Sequence, residues 1–273
     1  MVDVSKNEAM LPYWKNKITT QHADILLLAC CFSSGLLDSS VFDGEFYLAL
    51  CCVAARQDQK QKLRQMYTVY GTFVAMQTGN TIFVGLGTSN QDTQPYAWAR
   101  SITSIVCFAL GALFFARIGS ILGPKARLSL IGSFFVQASL ILITAALLQA
   151  GVVSQAAPTF GEPLNWDNEV PIVLLAFQSA GQIVASRALG FNEVPTVVIT
   201  SLLCDLMSDP SLFKLQNVKR DRRVIAFLLT LVGAISGGWI TKASGSLSVS
   251  LWVAAGIKYA IAFSWMVWRQ DQV

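Results

Sequence analysis

Charge is scarce in this chain: only 13% of its 273 residues are Asp, Glu, Lys or Arg, and there is a single histidine. So few charges cannot solvate the surface of an ordinary globular domain of this length. The net charge of +4 comes from lysines and arginines between apolar stretches, which leaves nucleic-acid binding without support. Also missing are the patterns of common catalytic and metal sites: no HExxH, no GxSxG, no Walker-type glycine-rich loop and no spaced Cys/His set. No catalytic residue, metal or cofactor is therefore expected, and the chain does not read as an enzyme. The cysteines Cys30, Cys31, Cys51, Cys52, Cys107 and Cys204 lie in apolar stretches without ligand spacing, which predicts small buried thiols rather than disulfides or zinc ligands. Residues 1–22 are polar, and no short apolar run with a cleavage site precedes the first long segment, so these residues read as a cytoplasmic tail.

What is present is apolar length. Hydrophobic residues make up 53% of the chain, and apolar segments fall near 23–43, 70–88, 101–121, 126–150, 170–190, 194–207, 224–243 and 247–268. A full crossing needs roughly 20 residues at about 1.5 Å rise each. Six segments meet this comfortably, while 70–88 carries polar residues at its centre and 194–207 is short and opens at Val194-Pro195. Loop charge favours six crossings over seven or eight. Arg117, Lys125 and Arg127 follow the third segment and Lys214, Lys219, Arg220, Arg222 and Arg223 follow the sixth, whereas the 151–169 loop has Glu162, Asp167 and Glu169 and no base. The expected fold is all-α: one helical membrane domain over 23–268, with six crossings and two re-entrant or broken segments. These form two inverted halves, about 23–150 and 170–268. An ungapped offset pairs Thr78 with Thr200, Arg100 with Arg222, Gly111 with Gly233 and Gly123 with Gly245. Inverted repeats with broken helices at mid-membrane are an architecture of transporters and channels.

Polar residues at membrane depth supply the candidate site. The run GTFVAMQTGNTIFVGLG, residues 71–87, holds Gln77, Thr78, Gly79, Asn80 and Thr81 at its centre, where hydrocarbon offers no hydrogen-bond partners. Gly79 lacks a Cβ and reads either as the point at which the helix breaks, exposing backbone donors and acceptors to a neutral or zwitterionic solute, or as a position that permits close packing. Asp38 lies inside the first segment and reads either as a solute, cation or proton site or as an interfacial carboxylate. Gln178 and Gln182 sit one turn apart on the fifth segment, as pore lining or as interhelical glue. Lys258, mid-way along the last segment, calls for a carboxylate, with Asp38 and Asp205 as the candidates. Trp98, Trp239, Trp252, Trp265 and Trp268 read as interfacial anchors, and Gly233-x-x-x-Gly237 and Gly119-x-x-x-Gly123 as close-packing steps.

At SSGLLDSSVFD, YGTFVAMQTGNTIFVGLG and QSAGQIVASRALGFNEVPTVVITSLLCDLMSDP the chain resembles the YoaK-like family of membrane proteins, domain of unknown function 1275, in its fungal branch, over nearly all of 23–268. The resemblance implies membrane residence and a multi-helix fold, and it points to no substrate. Against the family pattern, the second half carries Thr200-Ser201 without the Gly-Asn pair, and residues 44–68 stand as an extra segment between Asp43 and Val69. That segment reads as a retained intron, since its ends can be encoded by GTGAGT and ACAG; the alternative is an amphipathic surface helix. The expected function is movement of a small polar solute across a lipid bilayer. The alternative from a different class is a non-transporting membrane scaffold or sensor.

Overall fold

Backbone polar groups in hydrocarbon must be satisfied within the chain, and helices do this segment by segment. The computed structural model, which describes residues 16–42, 70–91, 94–154 and 166–269, is accordingly built from helices: α1 (Asp24–Phe42), α2 (Gln77–Thr88), α3 (Ala97–Leu122), α4 (Arg127–Gln149), α5 (Glu169–Leu189), α6 (Ile199–Met207), α7 (Val218–Ser244) and α8 (Leu247–Val267). Six of them, all but α2 and α6, are long and apolar enough to cross a membrane. The suspected insert at 44–68 lies outside the described residues.

Helix ends sort onto two faces. On the first, Ile18 N–H bonds Lys125 O at 3.1 Å, Arg127 donates to the Met266 and Trp268 carbonyls, and Arg222 pairs with Asp24 and Glu193, each at 2.9 Å. The starts of α1, α4 and α7 and the ends of α3, α5 and α8 therefore lie together. On the opposite face, Tyr70 Oη bonds Ser154 O at 2.7 Å and Trp252 Nε1 bonds Gln149 Oε1 at 2.7 Å. Since α1 ends and α3 begins on this second face, the chain between them enters and leaves on one side. The same holds for the chain between α5 and α7, on the first face. Six helices alternate in direction, and α2 and α6 do not cross.

Packing follows one scheme twice. The main pairs are α1 with α7, α3 with α5, and α4 with α8; α2 lies on α3 and α6 on α7. Exchanging the first four helices for the last four reproduces the set. Close approach depends on glycine: a Cβ at Gly233 would collide with the Phe32 carbonyl oxygen, one at Gly111 with that of Phe177, and one at Gly237 with Leu36 O. Gly123 and Gly245 sit at positive φ, 97° and 64°, in the short turns after α3 and α7. Gly123 is thus a turn residue, not the second half of a packing step. Trp265 is fully buried against Phe134 and is core rather than an interfacial anchor, whereas Trp98, Trp239 and Trp252 are exposed at 43%, 58% and 40%. Of the described cysteines, Cys30 and Cys31 are buried as expected, but Cys107 is only partly so and Cys204 is exposed.

Candidate functional site

The break in the first re-entrant segment lies ahead of the Thr-Gly-Asn box, not within it. Residues 70–76 are non-helical, with bends at Thr72, Val74 and Ala75; Gly71 turns the chain at φ 61°, and α2 begins at Gln77. Gly79 is helical, its N–H bonded to Met76 O at 3.2 Å, and a Cβ on it would stand 2.7 Å from the Phe73 ring. This corrects the expectation of a break at Gly79: the missing Cβ there admits Phe73, which stacks on Phe42 with ring centroids 4.3 Å apart.

A non-helical stretch of backbone in this setting needs partners for its N–H and C=O groups, and the box supplies several of them. Asn80 is fully buried and treats Phe73 as a strand partner: its Oδ1 accepts from Phe73 N–H at 3.0 Å and Thr72 Oγ1 at 2.9 Å, and its Nδ2 donates to Phe73 O at 2.7 Å. Nδ2 also lies within reach of Gln77 Oε1 and Ser104 Oγ, at 2.8 and 3.0 Å. Asp38 Oδ1 accepts the next two donors, Val74 N–H at 3.1 Å and Ala75 N–H at 3.0 Å. Ser179 Oγ donates to Val74 O at 2.8 Å, and Arg100 Nε to Tyr70 O at 2.6 Å. Four helices, α1, α2, α3 and α5, thus hold one short break. Thr78 and Thr81 are exposed on α2, and Thr200 is exposed on α6, so none of the three joins this cluster.

A second polar cluster lies at the centre of the bundle. Lys258 Nζ on α8 donates to Gln137 Oε1 on α4 at 2.8 Å and to Gln182 Oε1 on α5 at 2.6 Å, all three side chains being buried. The expected carboxylate partner is absent: Asp38 is turned to the 74–75 backbone, and Asp205 is exposed on α6. Neutral amide oxygens solvate the ammonium instead, with the Phe134 ring 5.4 Å away. Gln178, one turn from Gln182 on the same face, is buried, and neither its Oε1 nor its Nε2 has a hydrogen-bond partner among the described residues. Gln137 escaped the sequence reading; its only signal is that of a lone amide in an otherwise apolar stretch of α4. Arg100 and Ser104 escaped it too, because hydroxyls and a cation near a helix start are common without function.

The second re-entrant segment is held otherwise. Ser186 Oγ lies 2.8 Å from Phe191 O and 2.7 Å from Val194 O, Thr196 turns the chain at φ 60°, and Arg222 covers the Phe191 ring at 4.8 Å. Among the described residues no group of His, Cys, Asp and Glu could hold a metal ion.

No curated protein and no solved structure matches the chain. Residues 65–264 do match the family described as Protein of unknown function (DUF1275). The match starts later than the resemblance at 23 and leaves α1 and Asp38 outside it. It nevertheless takes in both re-entrant elements, the whole Asn80 cluster on α2 and α3, and all four residues around Lys258, and on that extent the chain belongs to the DUF1275 family.

Proposed function

We propose that this multi-pass membrane protein moves a small polar solute across the bilayer between two inverted halves. The observation that carries the reading is the exchange-symmetric packing, with one non-crossing element entering from each face and buried polar clusters in between. Broken elements at membrane depth are costly in lipid and are tolerated where they line a path or are held within protein. The face that gathers Lys17, Lys125, Arg187 and the 214–223 cations is the cytoplasmic one by the charge rule.

A second reading, a non-transporting scaffold or sensor, draws on Asn80 and Asp38, which engage the backbone of 73–75. Purified protein in liposomes, with glycerol, urea and glycine as probes and a swelling readout, separates the two. Transport predicts entry of at least one probe well above protein-free liposomes; folded protein that adds nothing to any probe leaves the scaffold reading.

A further inference from the structure

The Lys258 cluster carries a positive charge that no carboxylate among the described residues neutralises: its two acceptors are amide oxygens, and none of the four ion pairs includes it. A fully buried ammonium loses several kcal/mol of hydration, and neutral oxygens return only part of it. One turn from Gln182, Gln178 keeps an amide whose donor and acceptor have no partner among the described residues, although burial without a hydrogen bond costs roughly 1–3 kcal/mol. A cation and, one turn from its Gln182 acceptor, a spare amide donor are what a carboxylate group would complete.

A route to the cluster is visible. At the basic face the ends of α3 and α5 part to leave a groove of about 640 Å³, lined by Phe115, Gly119, Pro124, Ile183, Val184 and Arg187. Arg187 gives the apolar groove a cationic rim, its guanidinium bonded to Asn192 Oδ1 at 2.8 Å. At its inner end the Phe115 ring, 5% exposed, lies against Gly181, where a Cβ would stand 3.0 Å from Phe115 Cε2 and 2.5 Å from Gln137 Nε2. One aromatic ring therefore separates the groove from the amide that binds Lys258. The equivalent helix pair at the other face, α1 and α7, is shut by the contact of Gly237 with Leu36 O and Ser39.

We propose that Lys258, Gln137, Gln182 and Gln178 form a binding site for a small carboxylate solute, which enters through the α3–α5 groove past Phe115. This rests on the transport reading for its purpose but not for its test. Thermal unfolding of the full chain in detergent is followed at constant ionic strength with sodium acetate, sodium lactate, sodium chloride or glycerol. Acetate or lactate, well above its dissociation constant, should raise the unfolding temperature by about 5 °C over chloride and glycerol. Lys258→Gln should abolish the shift. Gln178→Leu removes an unpaired buried amide, so it should fold at least as well as the parent and still lose most of the shift, which keeps the test decisive if Lys258→Gln does not fold. Phe115→Ala should speed lactate entry into proteoliposomes severalfold. No carboxylate-dependent shift in the parent, an equal shift with chloride, or a full shift in Gln178→Leu overturns the site. A shift without flux of any probe keeps the site and removes transport, whereas glycerol flux without a shift does the reverse.

Discussion

The stretch of backbone that enters the bundle before α2 and the one that enters before α6 hold equivalent places in the packing, yet different chemistry secures them. The first is clamped at depth by side chains from α1, α2, α3 and α5, with Asn80 and Asp38 together engaging the peptide groups of 73–75. The second meets Ser186 and, at Thr196, the Cys31 thiol of α1 at depth, and is tied near the surface by Arg222 to Glu193 and Asp24. α6 itself buries only Leu202 and Leu206. Equivalent positions in two halves need not share a role, and here the polar clamping is concentrated in the first half.

The comparison breaks most sharply on topology. In a background without native cysteines, Asn90→Cys after α2 and Ser208→Cys after α6 should be labelled by an impermeant reagent from opposite sides of the membrane, all or none. Labelling of both from one side would end the opposed arrangement of the two elements.

The next largest effect is Asn80→Ala. It strands the Phe73 N–H in a buried site and leaves Phe73 O and the Thr72 hydroxyl with Ser104 and Ser101 as their remaining partners, and the expected loss is about 3 kcal/mol in reversible unfolding. Thr200→Ala, exposed on α6, should change stability by no more than about 0.5 kcal/mol. Comparable losses in the two variants would show that the clamp is not concentrated in the first half.

Gly79→Ala sharpens the meaning of the box. A methyl pressed against the Phe73 ring should cost about 2 kcal/mol by overpacking, with flux per folded molecule little changed. Unaltered stability with flux abolished would return the solute contact to Gly79.

The smallest effect concerns the loop after α6. A hydrogen bond from the Asn217 amide, helped by Ser211 N–H and by Arg223 and Arg220, holds the Asp209 carboxyl below its ordinary range. A lowered carboxyl stabilises the fold above its unfolded pKa of about 4 and loses that contribution as the pH falls further. Unfolding temperature should therefore drop less steeply below pH 4 in Asp209→Asn than in the parent.

Much of the architecture was legible because apolar length and loop charge are summed over many residues. The segment read at 101–121 is α3 at Ala97–Leu122, and the one at 126–150 is α4 at Arg127–Gln149. The direction of the 70–88 and 194–207 segments was legible for the same reason, since charged loops have to fall on one side. Detail at single residues was not. Asn80 and Asp38 were visible as polar groups out of place, but whether such a group serves a solute or a neighbouring backbone depends on where the non-helical stretch 70–76 passes, and that is tertiary. Lys258 called for a partner, and a carboxylate is the partner chemistry suggests first. Two amides from different helices can share the task, and nothing local to Gln137 announces it.

Arg127 opens α4, is buried, and donates to the carbonyls of Met266 and Trp268, nearly 140 residues further along the chain. During synthesis it enters the membrane long before those carbonyls exist. The same delay applies to α1, whose main neighbour is α7, and to α3, which must wait for α5. Neither half can complete its own interior, so the early helices lack their main packing partners until the later ones have been made. A chain cut short before α8 would present Arg127 at the membrane boundary without its acceptors, and a cell that inspects its membranes for stray charge has in that arginine a direct report of whether the protein was finished.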